Sequence, residues 1–280
     1  MALSINTNIS ALNNQAQLRQ TDQAKQKVLA QLASGKSINS AADNAAGLAV
    51  AEGLRSQQLG DTQGIRNAFD GVSLAQTADS ALSQITQNSQ RLEELAVQAG
   101  NGTLSADNRA ALQKEADQLT QANSQIIEGT TFNGQQLFNG GNTATFQVGG
   151  QGTSSAQLSV TAPDLTNGAS KLNGYSSNAN ASGTIDLSNP GAALSQIQSD
   201  LKQLGSYRAD LGAAANRFGS AIENLTTSSI NTEAARSRIQ DVDYAAASSE
   251  LARQQILGNS SQAVQAQANL TPQFAMSLLR

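Results

Sequence analysis

Residues 190–238 read PGAALSQIQSDLKQLGSYRADLGAAANRFGSAIENLTTSSINTEAARSR. Within them Leu194, Ile197, Leu201, Leu204, Arg208, Leu211, Ala215, Phe218, Ile222, Leu225, Ser229 and Thr232 alternate three- and four-residue steps. Such spacing averages about 3.5 residues, the mark of a helix wound against others in a left-handed supercoil. Each Leu or Ile buried in that seam contributes roughly 1.5–3 kcal/mol before conformational entropy is counted. Asn189 suits the N-cap, and Pro190 suits the first helical position, where a missing N–H costs nothing. Arg208 interrupts the seam, and its head group is expected at the edge with the stem lying along apolar surface. At 1.5 Å per residue this helix is about 70 Å long, whereas a compact chain of this size is about 50 Å across. The stretch therefore predicts an elongated, mainly α molecule, a rod.

Partners for this helix lie in the N-terminal half. Ile65, Phe69, Val72, Ala75, Ala78, Leu82, Ile85, Ser89, Leu92, Ala96 and Ala99 form a second long stripe, ended by Gly100-Asn101-Gly102. A shorter helix starts near Ser105, shows Leu112, Ala116, Leu119, Ala122 and Ile126, and closes at Gly129. Together they predict an antiparallel, coiled-coil-like bundle built from both halves of the chain. Before the second stripe, Gly53, Gly60, Gly64 and Gly71 fall within about 40° of one another on a continuous helix. Either they open a groove for another backbone, within the bundle or from a neighbouring copy, or part of 50–62 is not helical.

Segment 131–189 differs from its flanks. It holds nine of the 23 glycines and only three charged residues, Asp164, Lys171 and Asp186. Asn133-Gly134 and Asn139-Gly140 are hairpin signals, while Ala144, Phe146, Val148 and Ala156, Leu158, Val160 alternate with polar residues. A small β-rich tip of antiparallel strands and loops is expected here, without a large outer domain.

Composition narrows the function. The 280 residues include no Cys, His or Trp, and only 14% are charged. Disulfides, thiol nucleophiles and zinc–thiolate sites are excluded, and so is the commonest general base near neutral pH. A net charge of −4 disfavours nucleic acid and anionic membrane as partners. No apolar run is long enough to span a bilayer, and the start lacks the basic and apolar regions of a secretory signal. Ser34-Gly35-Lys36-Ser37 mimics the tail of a phosphate loop, but Ala30 stands where the leading glycine belongs. Asp241 and Asp243 are too few for a cation site and suit a helix start better. Asn101-Gly102-Thr103 and Asn180-Ala181-Ser182 fit the glycosylation sequon. No catalytic, cofactor or metal residue is expected.

The two ends are unusual. Residues 1–18 carry no charged side chain, and among 254–280 only Arg280 is charged. Both ends keep helical apolar spacing: Ile5, Ile9, Leu12 and Ala16, then Ala252, Ile256, Asn259, Ala263, Ala266 and Leu270. A surface helix of a monomer carries charge on its wet face. These carry Asn, Gln, Ser and Ala, which can face other protein on several sides, and the two termini are expected to become helical on assembly, paired with each other and packed between copies.

Several segments resemble bacterial flagellin. Ile5-Asn6-Thr7-Asn8, then Ser34-Gly35 with Ile38-Asn39-Ser40-Ala41-Ala42-Asp43-Asn44-Ala45-Ala46-Gly47, match its N-terminal region. Gln90-Arg91-Leu92-Glu93-Glu94-Leu95-Ala96-Val97-Gln98 resembles its "QRxRELAVQ" helix, and Thr131-Phe132-Asn133-Gly134 follows in order. Ser237-Arg238-Ile239-Gln240-Asp241-Val242-Asp243-Tyr244-Ala245 and Ser277-Leu278-Leu279-Arg280 resemble its C-terminal region, while Phe274-Ala275-Met276 departs from it. The resemblance implies a secreted, extracellular filament subunit of the bacterial flagellum, exported by the flagellar type III apparatus and assembled with itself beneath a cap protein. It implies an inner coiled-coil domain from 1–45 and 237–280 that forms on assembly, a helical rod from 46–130 and 190–236, and the tip at 131–189. Flagellar junction proteins and a flagellin-specific export chaperone are implied partners. A host flagellin-sensing Toll-like receptor is a further one, with Gln90, Arg91, Leu95 and Glu115 as contact candidates. Glu93 stands where the family often has a second Arg. A hook–filament junction protein is the alternative within the flagellum; a hydrolase working through carboxylates of the tip is a distant one.

Overall fold

The computed structural model describes residues 7–150, 153, 156–166, 171–175 and 185–278, with side chains described up to 270. Among them are five helices and two antiparallel strand pairs: α1 Ile9–Ser34, α2 Ala41–Ala99, α3 Ala106–Gly129, β1 Thr131–Phe132, β2 Gln135–Gln136, β3 Thr143–Gln147, β4 Gln157–Thr161, α4 Pro190–Gln240 and α5 Tyr244–Leu278. The chain is thus mainly α, as its spacing predicts. Two compact units can be distinguished, one of Met1–Ser56 with Asn231–Arg280, the other of Gln57–Ile230.

Helix ends fall where the capping chemistry lies. Ala192 N donates to Asn189 Oδ1 (3.4 Å) ahead of Pro190. Ser105 Oγ accepts from Asn108 N at the start of α3. Asn44 breaks the first turn of α2 with an extended backbone (φ −164°, ψ 96°), and its Oδ1 accepts from Gly47 N (2.9 Å). The uninterrupted part of α2 therefore begins after an Asn cap.

In the Gln57–Ile230 unit, α2, α3 and α4 surround a core that includes Leu82, Ile85, Ile127, Leu204, Leu211 and Phe218. The glycine stripe lies on continuous helix, and Gly60, Gly64 and Gly71 open a close approach from within the chain, whereas Gly53 faces open space. A Cβ on Gly60 would come within 2.8 Å of Gly150 Cα, one on Gly64 within 2.7 Å of Val148 O, and one on Gly71 within 2.5 Å of Phe218 Cζ. Beside Gly64, Asn67 Nδ2 donates to Gln147 O (2.7 Å), so the end of β3 lies against α2.

The strands are few and short. Asn133 (φ 50°) and Gly134 (φ 79°) make the left-handed two-residue turn between β1 and β2. The two predicted alternations pair as β3 and β4, with Ala144 opposite Val160 and Phe146 opposite Leu158. Asn139-Gly140 instead sits in the connection from β2 to β3, with Gly140 and Gly141 both at positive φ. Described residues elsewhere in the segment pack onto the helices. Leu137, Phe138, Leu165, Leu172 and Tyr175 enter the main helical core, and Ile185 and Leu187 enter a second cluster with Leu92, Leu95, Ala116 and Ile197.

In the other unit α1 and α5 run antiparallel. Asn8 Nδ2 donates to Ala268 O at one end (2.7 Å), and Tyr244 OH to Leu32 O at the other (3.2 Å). The connections α1–α2 and α4–α5 are joined side by side. Ser37 N donates to Gln240 O (2.6 Å) and Val242 N to Gly35 O (3.0 Å), around an antiparallel bridge of Lys36 with Asp241. Asp43 secures the start of α2: its Oδ2 accepts from Asn39 N and Ser40 N, and its Oδ1 meets Lys27 Nζ at 2.9 Å.

Candidate assembly surfaces

The α1–α5 pair is held through small and polar side chains. On α5 the inward positions are Ala247, Leu251, Gln254, Gly258, Ser261, Gln265 and Ala268, again in alternating four- and three-residue steps. On α1 they include Ala11, Leu18, Thr21 and Val28. A Cβ on Gly258 would meet Thr21 Cγ2 at 3.9 Å, so small residues let the two helices approach closely. Among the described residues, Val28, Ala247 and Ala268 are the buried apolar residues of this pair.

The apolar stripes read from the sequence lie elsewhere. Ile9, Leu12 and Ala16 on α1, and Ile256, Ala263, Ala266 and Leu270 on α5, are all exposed; Ile5 lies outside the described residues. At 100° per residue the α5 stripe is centred about 150° from the side that meets α1. The two ends pair with each other through the sides opposite these stripes. Leu257, Val264 and Leu29 add to the uncovered apolar surface. An apolar face turned to water is costly for a soluble helix, and a contiguous one marks an interaction surface.

The seam of α4 lies in the Gln57–Ile230 unit. Ile197, Leu204, Leu211 and Phe218 are fully buried, while Leu194, Leu201, Ile222 and Leu225 pack half-buried beside them. Arg208 reaches the seam's edge and Nε donates to Asp79 Oδ1 (2.8 Å). Phe218 packs edge-on against Phe146 (5.5 Å between ring centres).

The receptor-contact candidates are split. Gln90 and Arg91 are exposed and Glu115 is half-buried. Arg91 donates through Nε and Nη2 to Glu115 Oε1 and through Nη1 to Glu94 Oε2. Glu94 and then Glu115 hold its proton more firmly than usual. Leu95 is corrected: it lies on the inward side of α2, with 0% exposure, and cannot be offered to a partner's pocket while this core is intact.

Sequence reasoning missed the side chains that hold 171–175 and 185–187 to the helices. Asp200 is buried on α4 and its carboxylate accepts from Asn173 N (2.9 Å), Asn173 Nδ2 (2.8 Å) and Gly174 N (2.8 Å). Burial pushes its pKa up, against the pull of these donors. Tyr175 OH donates to Glu128 Oε1 (3.1 Å). Gln113 acts like a strand edge: Nε2 donates to Ile185 O and Oε1 accepts from Leu187 N, both at 2.8 Å. No sequence spacing relates these residues, which are 26 to 74 positions apart.

Among the described residues no group of three His, Cys, Asp or Glu could hold a metal ion, and no helix is long and apolar enough to cross a membrane. Residues 5–143 match the model of the bacterial flagellin N-terminal helical region, and residues 194–279 that of the C-terminal helical region. A flagellin of Halalkalibacterium halodurans is 39% identical over 277 residues, covering 99% of each chain. One of Bacillus subtilis is 39% identical over 305 residues, again covering 99% of each. A crystal structure of Bacillus cereus flagellin is 27% identical, covers 61% of this chain and 94% of that one, and superposes with a TM-score of 0.48. With both helical regions matched and full-length relatives at this identity, the chain belongs to the bacterial flagellin family.

Proposed function

We propose that this protein is a structural subunit that polymerises with itself into the flagellar filament. The observation that carries this reading is the uncovered apolar side of the α1–α5 pair. Ile9, Leu12, Ile256 and Leu270 face away from the partner helix, and the surface around them lacks the charge that would keep a solitary helix soluble. Copies of the same pair can cover it, and the seam of small residues leaves the pair too thin to be rigid alone. Ordering of the ends is coupled to assembly in this reading, and the 57–230 unit supplies a core that stands without it.

Export to the cell exterior, growth beneath a cap protein and binding of an export chaperone to the C-terminal region belong to the same reading. The runner-up, a hook–filament junction protein, differs in copy number and in not extending itself. Seeded growth separates the two: purified chain added to short filament seeds should produce long filaments under electron microscopy. Saturation after a few copies would favour the junction protein. Recognition by a Toll-like receptor would rest on Gln90, Arg91 and Glu115 alone, since Leu95 is inside.

A further inference from the structure

Five Asn-Gly pairs occur in the chain, at 101–102, 133–134, 139–140, 167–168 and 173–174. The third lies in a loop and 167–168 lies outside the described residues. The four described pairs differ sharply in chemistry. The geometry points to Asn101 as a site of spontaneous backbone modification, in which the Asn101 amide is lost as ammonia through a succinimide and the α2–α3 turn acquires an aspartyl or isoaspartyl link.

Three features converge there. The turn Asn101–Leu104 is closed by Leu104 N donating to Asn101 O (3.2 Å), which places Gly102 at its first central position. The Gly102 N–H has no acceptor among the described residues, and no atom lies within 4 Å of where its Cβ would be. Asn101 Oδ1 accepts two hydrogen bonds, from Thr103 Oγ1 (2.9 Å) and Thr103 N (3.1 Å). Donors aimed at an amide oxygen stabilise the negative charge it gains when the carbonyl carbon is attacked. Asn101 Nδ2, the leaving nitrogen, is held by no acceptor among the described residues.

Each of the other described pairs lacks part of this set. Gly174 N is tied to Asp200 Oδ2 (2.8 Å) and Asn173 Nδ2 to Asp200 Oδ1, so nucleophile and leaving group are both engaged. Asn139 Nδ2 donates to Gln136 Oε1 (3.1 Å). Asn133 is fixed at φ 50° in the β1–β2 turn, and among the described residues no donor reaches its Oδ1.

The step balances with water alone. Gly102 N attacks Asn101 Cγ and gives its proton to a solvent base. Nδ2 takes up a proton and leaves as ammonia, closing the five-membered imide. Water then opens the imide at either carbonyl, leaving a carboxylate where an amide stood. The sequon reading of the same triplet needs a transferase and a sugar donor; this reaction needs neither.

The test is incubation of the purified full-length chain in mildly alkaline buffer made with ¹⁸O-water, followed over weeks by peptide mass spectrometry. The Asn101 peptide should convert fastest of the four and carry the label. Thr103→Val should slow it about fivefold, the rate equivalent of one net hydrogen bond, while Thr103→Ser should restore it. Gly102→Ala, which the open space around Gly102 accommodates, should slow it by crowding the attacking nitrogen while circular dichroism stays unchanged. The inference is overturned if Asn133, Asn139 or Asn173 converts before Asn101. It is equally overturned if Thr103→Val leaves the Asn101 rate unchanged or raises it.

Discussion

Ile256→Asp tests the outward role of α5 most directly. In the single chain Ile256 is 65% exposed, with Leu257 at 42%, Val264 at 52% and Leu270 at 41%. Full burial of such a side chain is worth roughly 1.5–3 kcal/mol, so covering what remains of Ile256 between copies contributes about 1–2 kcal/mol. Aspartate forfeits this gain and adds the cost of desolvating a charge, at least about 1 kcal/mol more where no partner is provided. With 1.4 kcal/mol per tenfold change, the critical concentration for filament growth should rise at least about tenfold. The monomer should hardly notice, because exposed substitutions of this kind stay within about 0.5 kcal/mol. The assay is seeded growth with sedimentation of polymer, beside thermal unfolding of the unpolymerised chain. Normal growth at an unchanged critical concentration would show that this side of α5 is not buried between copies. A large drop in monomer stability would show that Ile256 already serves the single chain.

Three further outcomes follow from the geometry. Deleting residues 1–18 or 260–280 should leave most of the helical circular dichroism in place and abolish filaments, as seen by electron microscopy; filaments from either truncation would contradict the assembly role of the ends. Leu204→Asp places a charge at a position with 0% exposure in the main core, costing several kcal/mol, and should melt the 57–230 unit in thermal scans; an unchanged transition would refute the α4 seam. The Asp43 carboxyl, held ionised by Lys27 and then by Asn39 N and Ser40 N, has its pKa lowered to about 2. Because the folded value lies below the usual 3.8, its stabilisation is complete above that pH and disappears as pH falls through about 2. Amide shifts of Asn39 and Ser40 should follow that titration and should be insensitive to it in Asp43→Asn.

Where apolar bulk carries the packing, the sequence could be read directly. Leu204, Leu211 and Phe218 declare the α4 seam because nothing but burial explains them at that spacing, and Ser105 and Asn189 mark helix starts through local hydrogen-bond chemistry. The α1–α5 contact is hidden because, Leu18, Val28 and Leu251 aside, its residues are Ala, Gly, Ser, Thr and Gln. Their value is closeness of approach, which hydropathy does not register, so the bulkier Ile256 and Leu270 draw attention to the wrong side for that contact. Leu95 shows the opposite lapse. Its position three residues after Leu92 and four before Ala99 places it inside by helical period alone, whereas motif resemblance suggested a surface role. The placement of 162–166, 171–175 and 185–187 was illegible for another reason. Their anchors are irregularly spaced, and the groups that hold them, Asp200, Glu128 and Gln113, lie on helices far away in the chain.

The paired connections at Gly35–Ser37 and Gln240–Val242 have a mechanical meaning. One covalent strand between two bodies is a swivel, because rotation about a few single bonds dissipates any applied twist. Two strands fastened to each other by Ser37–Gln240 and Val242–Gly35 cannot turn independently. Twisting the α1–α5 pair about its own axis must therefore shear those bonds or rotate both connections together. Within this one unit, of Met1–Ser56 with Asn231–Arg280, the arrangement behaves as a keyed shaft: the α1–α5 pair and the adjoining turns of α2 and α4 turn together.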